Sequence, residues 1–406
     1  MAGVLEGIKV VEMGHWVAVP SACGILADWG AEVVKIEPLT GEAARGLNQG
    51  GDAAGAYYAN GTQINWRIEL HNRGKRSLAV DATKESGKEI IHKLAKEADV
   101  FATNYELKSL QRLSLDYERL RQCNPRLIYA LLTGYGKVGP DKDERGFDYA
   151  AAWAHSGIQY LLGQPGDVPP AQRGGMMDRN AGIYLITGVL AALLHRQKTG
   201  QGEEIHVSLY HAGVWTLAAD IEAALLGIPL PRYERQKIQN PLADIYRTKD
   251  DRWLQLIMLQ ADLQWPGLCR AVGRPDLEKD PRFSNLVARA EHCEELIGIL
   301  DELFASKTLA EWEPLLRANH CIFSRVQTPT EVTTDPQALV NGFLATVTHP
   351  ITGEIKLVTS PVDFTQNPAE IRAPAPEIGQ HTEEILLQLG YTWVDISRLK
   401  AELTIL

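Results

Sequence analysis

Apolar and polar positions alternate over Gly7–Glu12. After a short loop at Gly14–Ser21 the period lengthens to that of a helix through Ala27, and a second alternating run covers Glu32–Glu37. Alternation marks a strand with two unlike faces, and the longer period marks a helix with one buried stripe. The opening therefore predicts strand, helix, strand. The rhythm resumes with a strand at Arg76–Asp81, a helix at Glu85–Ala98, a strand at Val100–Asn104, a helix at Leu107–Leu113 and a strand at Leu127–Thr133. A long helix follows Asp178 and stops at Thr199-Gly200, glycine being a favoured C-terminal stop. The strand Glu204–Leu209 and the helix Gly213–Leu226 come next. Strands that alternate with helices build a parallel sheet covered on both faces, so the fold class is α/β, doubly wound and Rossmann-like.

From about Pro229 the texture changes. A hairpin of Ile245–Thr248 with Trp253–Met258 is followed by helices at Ala261–Val272, Ala288–Phe304 and Leu309–Asn319. This predicts a large domain over 1–227, a smaller α+β domain over 228–328, and a segment over 329–406 that returns to the large domain. That last segment carries a second hairpin, Leu344–His349 with Glu354–Val358, and a helix starting near Thr382. Thr40–Trp66, rich in Gly, Ala and Asn, interrupts the first half. A loop of that length is functional more often than accidental, which makes it a candidate cover for a site.

Composition narrows the partners. The chain has 406 residues, more than one compact core usually holds, and a net charge of −10, which argues against non-specific nucleic-acid binding. The N-terminus shows no secretory pattern, and the apolar run at Ile183–Leu194 is too short to span a bilayer core of about 30 Å. The five cysteines are far apart and lack CxxC spacing, as expected of reduced thiols in a cytoplasm.

One apparent nucleotide site fails on inspection. A strand, Gly14, a helix and Glu37 imitate a dinucleotide-binding unit, but the loop reads Gly14-His15-Trp16-Val17-Ala18 instead of GxGxxG, and Trp16 would crowd a pyrophosphate. The informative block is Gly174-Gly175-Met176-Met177-Asp178-Arg179-Asn180, which opens the long helix. Asp178 stands where a helix cap is expected, and there the helix dipole would favour its ionised form. A carboxylate is also a legitimate nucleophile towards an activated acyl group.

The run GGMMDRNAGIYLITGVLAALLHRQKTGQG, the opening GIKVVEMGHWVAVPSACGILADWGAEVVKIEP, GKRSLAVD and GQHTEEILLQLGY together resemble the family III CoA-transferases, in the same order and along nearly the whole chain. The resemblance implies that Asp178 is the nucleophile, and that Val17, Ala18, Val80, Asp81, Thr83, Asn104, Tyr105 and Arg112 contact coenzyme A. The Asn104–Leu113 stretch keeps the arginine but has Leu107-Lys108 where the family has Pro-Gly, and Pro38 replaces an arginine of the formyl-CoA transferases. The cluster Arg73, Lys75 and Arg76 suits an anionic nucleotide in a net acidic chain.

The expected activity is CoA transfer from an acyl-CoA to a free carboxylic acid through an aspartyl anhydride and an aspartyl-CoA thioester. The texture is most similar to transferases of 2-hydroxy or aryl acids. No metal and no tightly bound cofactor is implied; the CoA thioester is a substrate. An interlocked homodimer follows by resemblance alone. Two rivals are an α-methylacyl-CoA racemase of the same family and a non-catalytic acyl-CoA-binding protein. The racemases use a histidine in a G-H-D segment that reads Gly146-Phe147-Asp148 here, and phenylalanine carries no proton.

Overall fold

The computed structural model describes residues 3–49 and 64–406. The chain forms two compact units: Met1–Gln159 with Ala171–Ile228 and Pro336–Leu406, and Tyr160–Pro170 with Pro229–Asp335. The second unit thus reaches past residue 328 and takes in a short excursion from the first half.

The first unit is built on six parallel strands, β1 (Lys9–Met13), β2 (Glu32–Glu37), β3 (Arg76–Ala79), β4 (Val100–Thr103), β5 (Ile128–Thr133) and β6 (Glu204–Ser208), in the order β3-β2-β1-β4-β5-β6. β1 pairs with β2 from Lys9–Glu32 onward and with β4 from Val10–Val100 onward. The chain therefore winds outward in opposite directions from β1 and β4. Those two neighbours form the switch point, outside whose carboxyl ends doubly wound proteins bind ligands.

Helices α1 (Ala18–Asp28), α2 (Trp66–Asn72), α3 (Glu85–Glu97), α4 (Leu107–Leu113), α5 (Tyr117–Cys123), the short α6 (Ile158–Leu161) and the long α7 (Met176–Thr199) follow in chain order. One face of the sheet packs Val10, Val33, Val100 and Ile128 against α1 and α7. The other packs Val11, Leu78, Phe101 and Tyr129 against α3 and the C-terminal helices. At Gly182 in α7 an added Cβ would lie 2.8 Å from Ser21 Oγ and 2.9 Å from the Ala18 carbonyl, so only glycine lets the two helices approach this closely. Gly200 ends α7 in the left-handed conformation (φ +74°), its N–H bonded to the Arg196 carbonyl.

The helix expected at Gly213–Leu226 is instead two, α8 (Leu209–Thr216) and α9 (Ala218–Leu225), which meet at Leu217. The second unit's hairpin, β7 (Ile245–Arg247) with β8 (Trp253–Leu256), gains a third antiparallel strand, β9 (Phe323–Arg325), from the far end of that unit. Its own core gathers Tyr246, Trp265, Phe304 and Trp312.

A buried ionic cluster joins β1, β2 and the approach to β3. Lys35 Nζ lies 2.8 Å from Glu12 Oε1, 2.9 Å from Glu42 Oε1 and 3.0 Å from the Gly14 carbonyl. Lys75 Nζ lies 2.5 Å from Glu12 Oε2 and 2.9 Å from both the Pro20 carbonyl and Asn72 Oδ1. Arg45 forks onto Glu37 at 2.6 and 2.8 Å. Burial disfavours each of these charges, but the lysines outweigh it at Glu12, whose carboxyl is held below its usual range. Arg73 is likewise buried and paired with Asp28 at 2.7 Å. Arg73 and Lys75 therefore direct their charge into the fold, onto Asp28 and Glu12, and do not form the anion-suited cluster that the sequence suggested; Arg76 pairs with Glu384 at 3.1 Å.

Removing one partner of such a cluster strands buried charge. Lys35→Met, which leaves Glu12 and Glu42 short of a cation, is expected to lower the urea-unfolding free energy by about 3–5 kcal/mol. A loss below about 1 kcal/mol would show that the cluster does not hold the sheet's central strands together.

Candidate active site

The loop after β1 and the residues after β4 are tied together across the switch point. His15 N–H donates to Asn104 Oδ1 at 3.0 Å, and Asn104 Nδ2 donates back to the His15 carbonyl at 2.8 Å. Trp16 follows in the left-handed region (φ +67°), where a bulky residue is an outlier. Its N–H donates to Glu42 Oε2 at 2.8 Å, so the ionic cluster holds the strained turn in place.

A cavity of about 590 Å³ opens at this point, above the carboxyl ends of β1, β4 and β5. His15, Trp16, Ala18, Asn104, Tyr105, Phe147, Asp148 and Asp178 are among the side chains that line it. The His15 ring stands edge-on to Tyr105 with centroids 5.0 Å apart. Burial and the nearby Lys35 push its pKa down to about 4, so the imidazole is neutral at physiological pH.

Asp178 enters this cavity from the first turn of α7, in the third position of the helix. The cap is Gly175, in the left-handed conformation (φ +81°). The expectation that Asp178 itself caps the helix is thus corrected, and the reason is a second carboxylate. Asp148 Oδ2 accepts the Gly175 N–H at 2.8 Å, while its Oδ1 accepts those of Met177 at 2.9 Å and Asp178 at 3.2 Å. Asp148 reaches this place because Gly146 passes directly against Gly134, where a Cβ on Gly146 would come within 2.2 Å of the Gly134 Cα. It also starts a π-helical turn, Asp148–Ala154, in which the His155 N–H bonds back to the Ala150 carbonyl. Such turns are frequent at functional sites.

With the first-turn N–H groups taken, the Asp178 carboxylate does not receive their stabilisation. Burial raises its pKa from the ordinary 3.8 to about 7, the negative charge of Asp148 pushes the same way, and Arg179 opposes them. This reverses the expectation of a dipole-stabilised anion. Burial also raises Asp148, against the pull of the three N–H donors.

Of the residues tied to coenzyme A in the sequence, Ala18, Asn104 and Tyr105 line the cavity beside Asp178. Val17 lies in sequence between the lining residues Trp16 and Ala18 but is not itself in the lining, and a Cβ on Gly175 would lie 3.3 Å from its Cγ1. Among the described residues, the lining does not include Val80, Asp81, Thr83 or Arg112. Val80 is buried and bridged to Ile405, Asp81 Oδ1 accepts from Thr83 N–H at 2.9 Å, and Arg112 is exposed on α4. Much of the Thr40–Trp66 loop, at 50–63, lies outside the described residues. Asp148 is a site residue that the sequence pattern does not single out; the one available signal is an acid directly after Gly146-Phe147.

A group whose pKa is higher in the fold than in the unfolded chain keeps its proton longer in the native state. Stability therefore falls as pH rises from about 4 to about 7, and the full penalty stands above 7. Asp178→Asn should thus be more stable than the parent by about 2 kcal/mol at pH 8, with the gain shrinking towards zero near pH 4. Equal melting-temperature gains at both pH values would contradict this charge environment.

Residues 5–382 match CoA-transferase family III. The chain is 35% identical over 399 residues to the (R)-2-hydroxy-4-methylpentanoate CoA-transferase of Clostridioides difficile, covering 98% of each chain. It is 34% identical to the cinnamoyl-CoA:phenyllactate CoA-transferase of Clostridium sporogenes, covering 98% of this chain and 96% of that one. Among solved structures, a CaiB/BaiF family protein from Brucella suis superposes with a TM-score of 0.83 at 27% identity, over 96% of this chain and 100% of that one. With the parallel six-stranded sheet and the switch-point cavity, these likenesses give the chain its family: it belongs to CoA-transferase family III.

Proposed function

We propose that the protein moves coenzyme A from an acyl-CoA to a free 2-hydroxy or aryl acid, with Asp178 as the nucleophile. The observation that carries this reading is the Asp178 carboxylate in the switch-point cavity, beside Ala18, Asn104 and Tyr105. Its raised pKa supports the role, because a carboxylate poised near neutrality is more basic and more reactive than a solvated one.

In the proposed sequence Asp178 attacks the thioester carbonyl, the C–S bond breaks, and an aspartyl–acyl anhydride and CoA thiolate result. The thiolate attacks the aspartyl carbonyl, releasing the donor acid and leaving an aspartyl-CoA thioester. The acceptor carboxylate then attacks that thioester, regenerating a mixed anhydride and thiolate. Attack of the thiolate on the new acyl carbonyl gives the product acyl-CoA and frees Asp178. Negative charge builds on a carbonyl oxygen at each step and calls for nearby donors.

Arg112 is assigned to the coenzyme's phosphates, on the support that the first turn of its helix, Leu107–Ser109, borders the cavity. The roles of Val17, Val80, Asp81 and Thr83 are retained as contacts on the resemblance alone. A homodimer is supported by α9, none of whose residues is buried, and by the neighbouring Leu226 and Trp215, which are 76% and 65% exposed. No described helix is long and apolar enough to cross a membrane. Five free cysteines support the cytoplasmic reading.

Incubation with an acyl-CoA and hydroxylamine is expected to convert Asp178 to its hydroxamate, seen as a mass change in the Asp178 peptide. An active enzyme whose Asp178 stays unmodified would remove it as the nucleophile. Solvent deuterium appearing at the α-carbon of the acyl-CoA without CoA exchange would point to racemisation instead.

A further inference from the structure

The cavity around Asp178 has a wall that the transfer chemistry leaves unexplained. Trp16 and Phe147 both line it, with ring centroids 6.2 Å apart and planes at 79°, an edge-to-face pair. Phe147 is 50% exposed, whereas Phe101, Phe283 and Phe304 are completely buried. A single exposed aromatic ring is ordinary. The position of this one is what matters, because Phe147 immediately precedes Asp148, whose Oδ1 accepts the Asp178 N–H at 3.2 Å. Ring and nucleophile are thus two short links apart.

Trp16 reaches the same wall from the opposite loop, at a backbone conformation that glycine would adopt without strain. Its place is enforced: the Trp16 N–H is held by Glu42, and Glu42 in turn by Lys35 at 2.9 Å inside the buried cluster. Backbone strain that persists under such constraint collects at ligand clamps. Together the two rings give the cavity a large apolar border, the kind of surface that an aromatic or branched apolar group covers favourably.

We infer that Trp16 and Phe147 form the acyl-binding wall and select acids with an aromatic or branched apolar side chain. The inference deepens the proposed CoA transfer and rests on it. A two- or three-carbon acyl group could react at Asp178 while leaving most of the wall uncovered; an aryl-propionyl group would cover it.

The test measures kcat/KM for 3-phenylpropionyl-CoA and for propionyl-CoA, each with acetate as acceptor, in the wild type, Trp16→Ala, Phe147→Ala and Phe147→Leu. The ratio of the two values is read because it cancels any difference in the fraction of folded enzyme. The ratio should favour the aryl donor in the wild type, fall roughly tenfold or more in each alanine variant, and fall less in Phe147→Leu. A wild type that turns over both donors, with a ratio that Trp16→Ala and Phe147→Ala leave unchanged, overturns the acyl wall while CoA transfer stands. A wild type that transfers CoA from neither donor to acetate nor to any other carboxylate overturns the transfer reading, and the acyl wall with it.

Discussion

One buried carboxylate, Asp148, decides where the long helix begins and so where Asp178 points. Asp148 accepts three N–H groups from the first turn of α7 and does the work usually left to a side chain of the helix's own entry. Two consequences follow from that substitution. Asp178 is released from capping and turned towards the cavity, and it is placed beside a second negative charge in a poorly solvated setting. The fold accepts a less stable pair of acids at this place, a trade that recurs where reactivity is wanted.

The buried cluster at β1 and β2 follows the opposite rule. Glu12, Glu37 and Glu42 are matched by Lys35, Lys75 and Arg45, each within hydrogen-bonding distance of a partner. This balanced cluster makes the ends of β1 and β2 rigid and fixes the strained Trp16 turn, while the Asn104–His15 exchange locks β4's exit to β1's. Balanced charge builds the frame, and unbalanced charge marks the site. The contrast separates Lys75 from Asp178, although both are ionisable groups withdrawn from water.

The parallel sheet was legible because strand and helix periods are local: Glu32–Glu37 and Leu107–Leu113 stand where the pattern puts them. What escaped was set by contacts distant in sequence. Asp148 meets its N–H partners 27 to 30 residues later, and β9 joins β8 from the far end of its unit. Arg73 and Lys75 read as suited to an anionic nucleotide because nothing in their neighbourhood announces Asp28 or Glu12. At Asp178 the pattern could offer only a cap; the ordered resemblance along the chain is what suggested a nucleophile, and the three N–H groups held by Asp148 explain why Asp178 is not a cap.

The central claim is that burial, reinforced by the charge of Asp148, raises the proton affinity of Asp178, the proposed nucleophile. It is tested most directly by the pH dependence of kcat/KM for acyl-CoA in the wild type and in Asp148→Asn, since that parameter reports ionisations of the free enzyme. The wild type should lose activity on the acid side of about pH 7, as Asp178 takes up its proton. In Asp148→Asn an acceptor oxygen remains but the charge is gone, so this acid limb should move down by about one pH unit. An acid limb in the same place in both proteins, or one already near pH 4 in the wild type, would contradict the account.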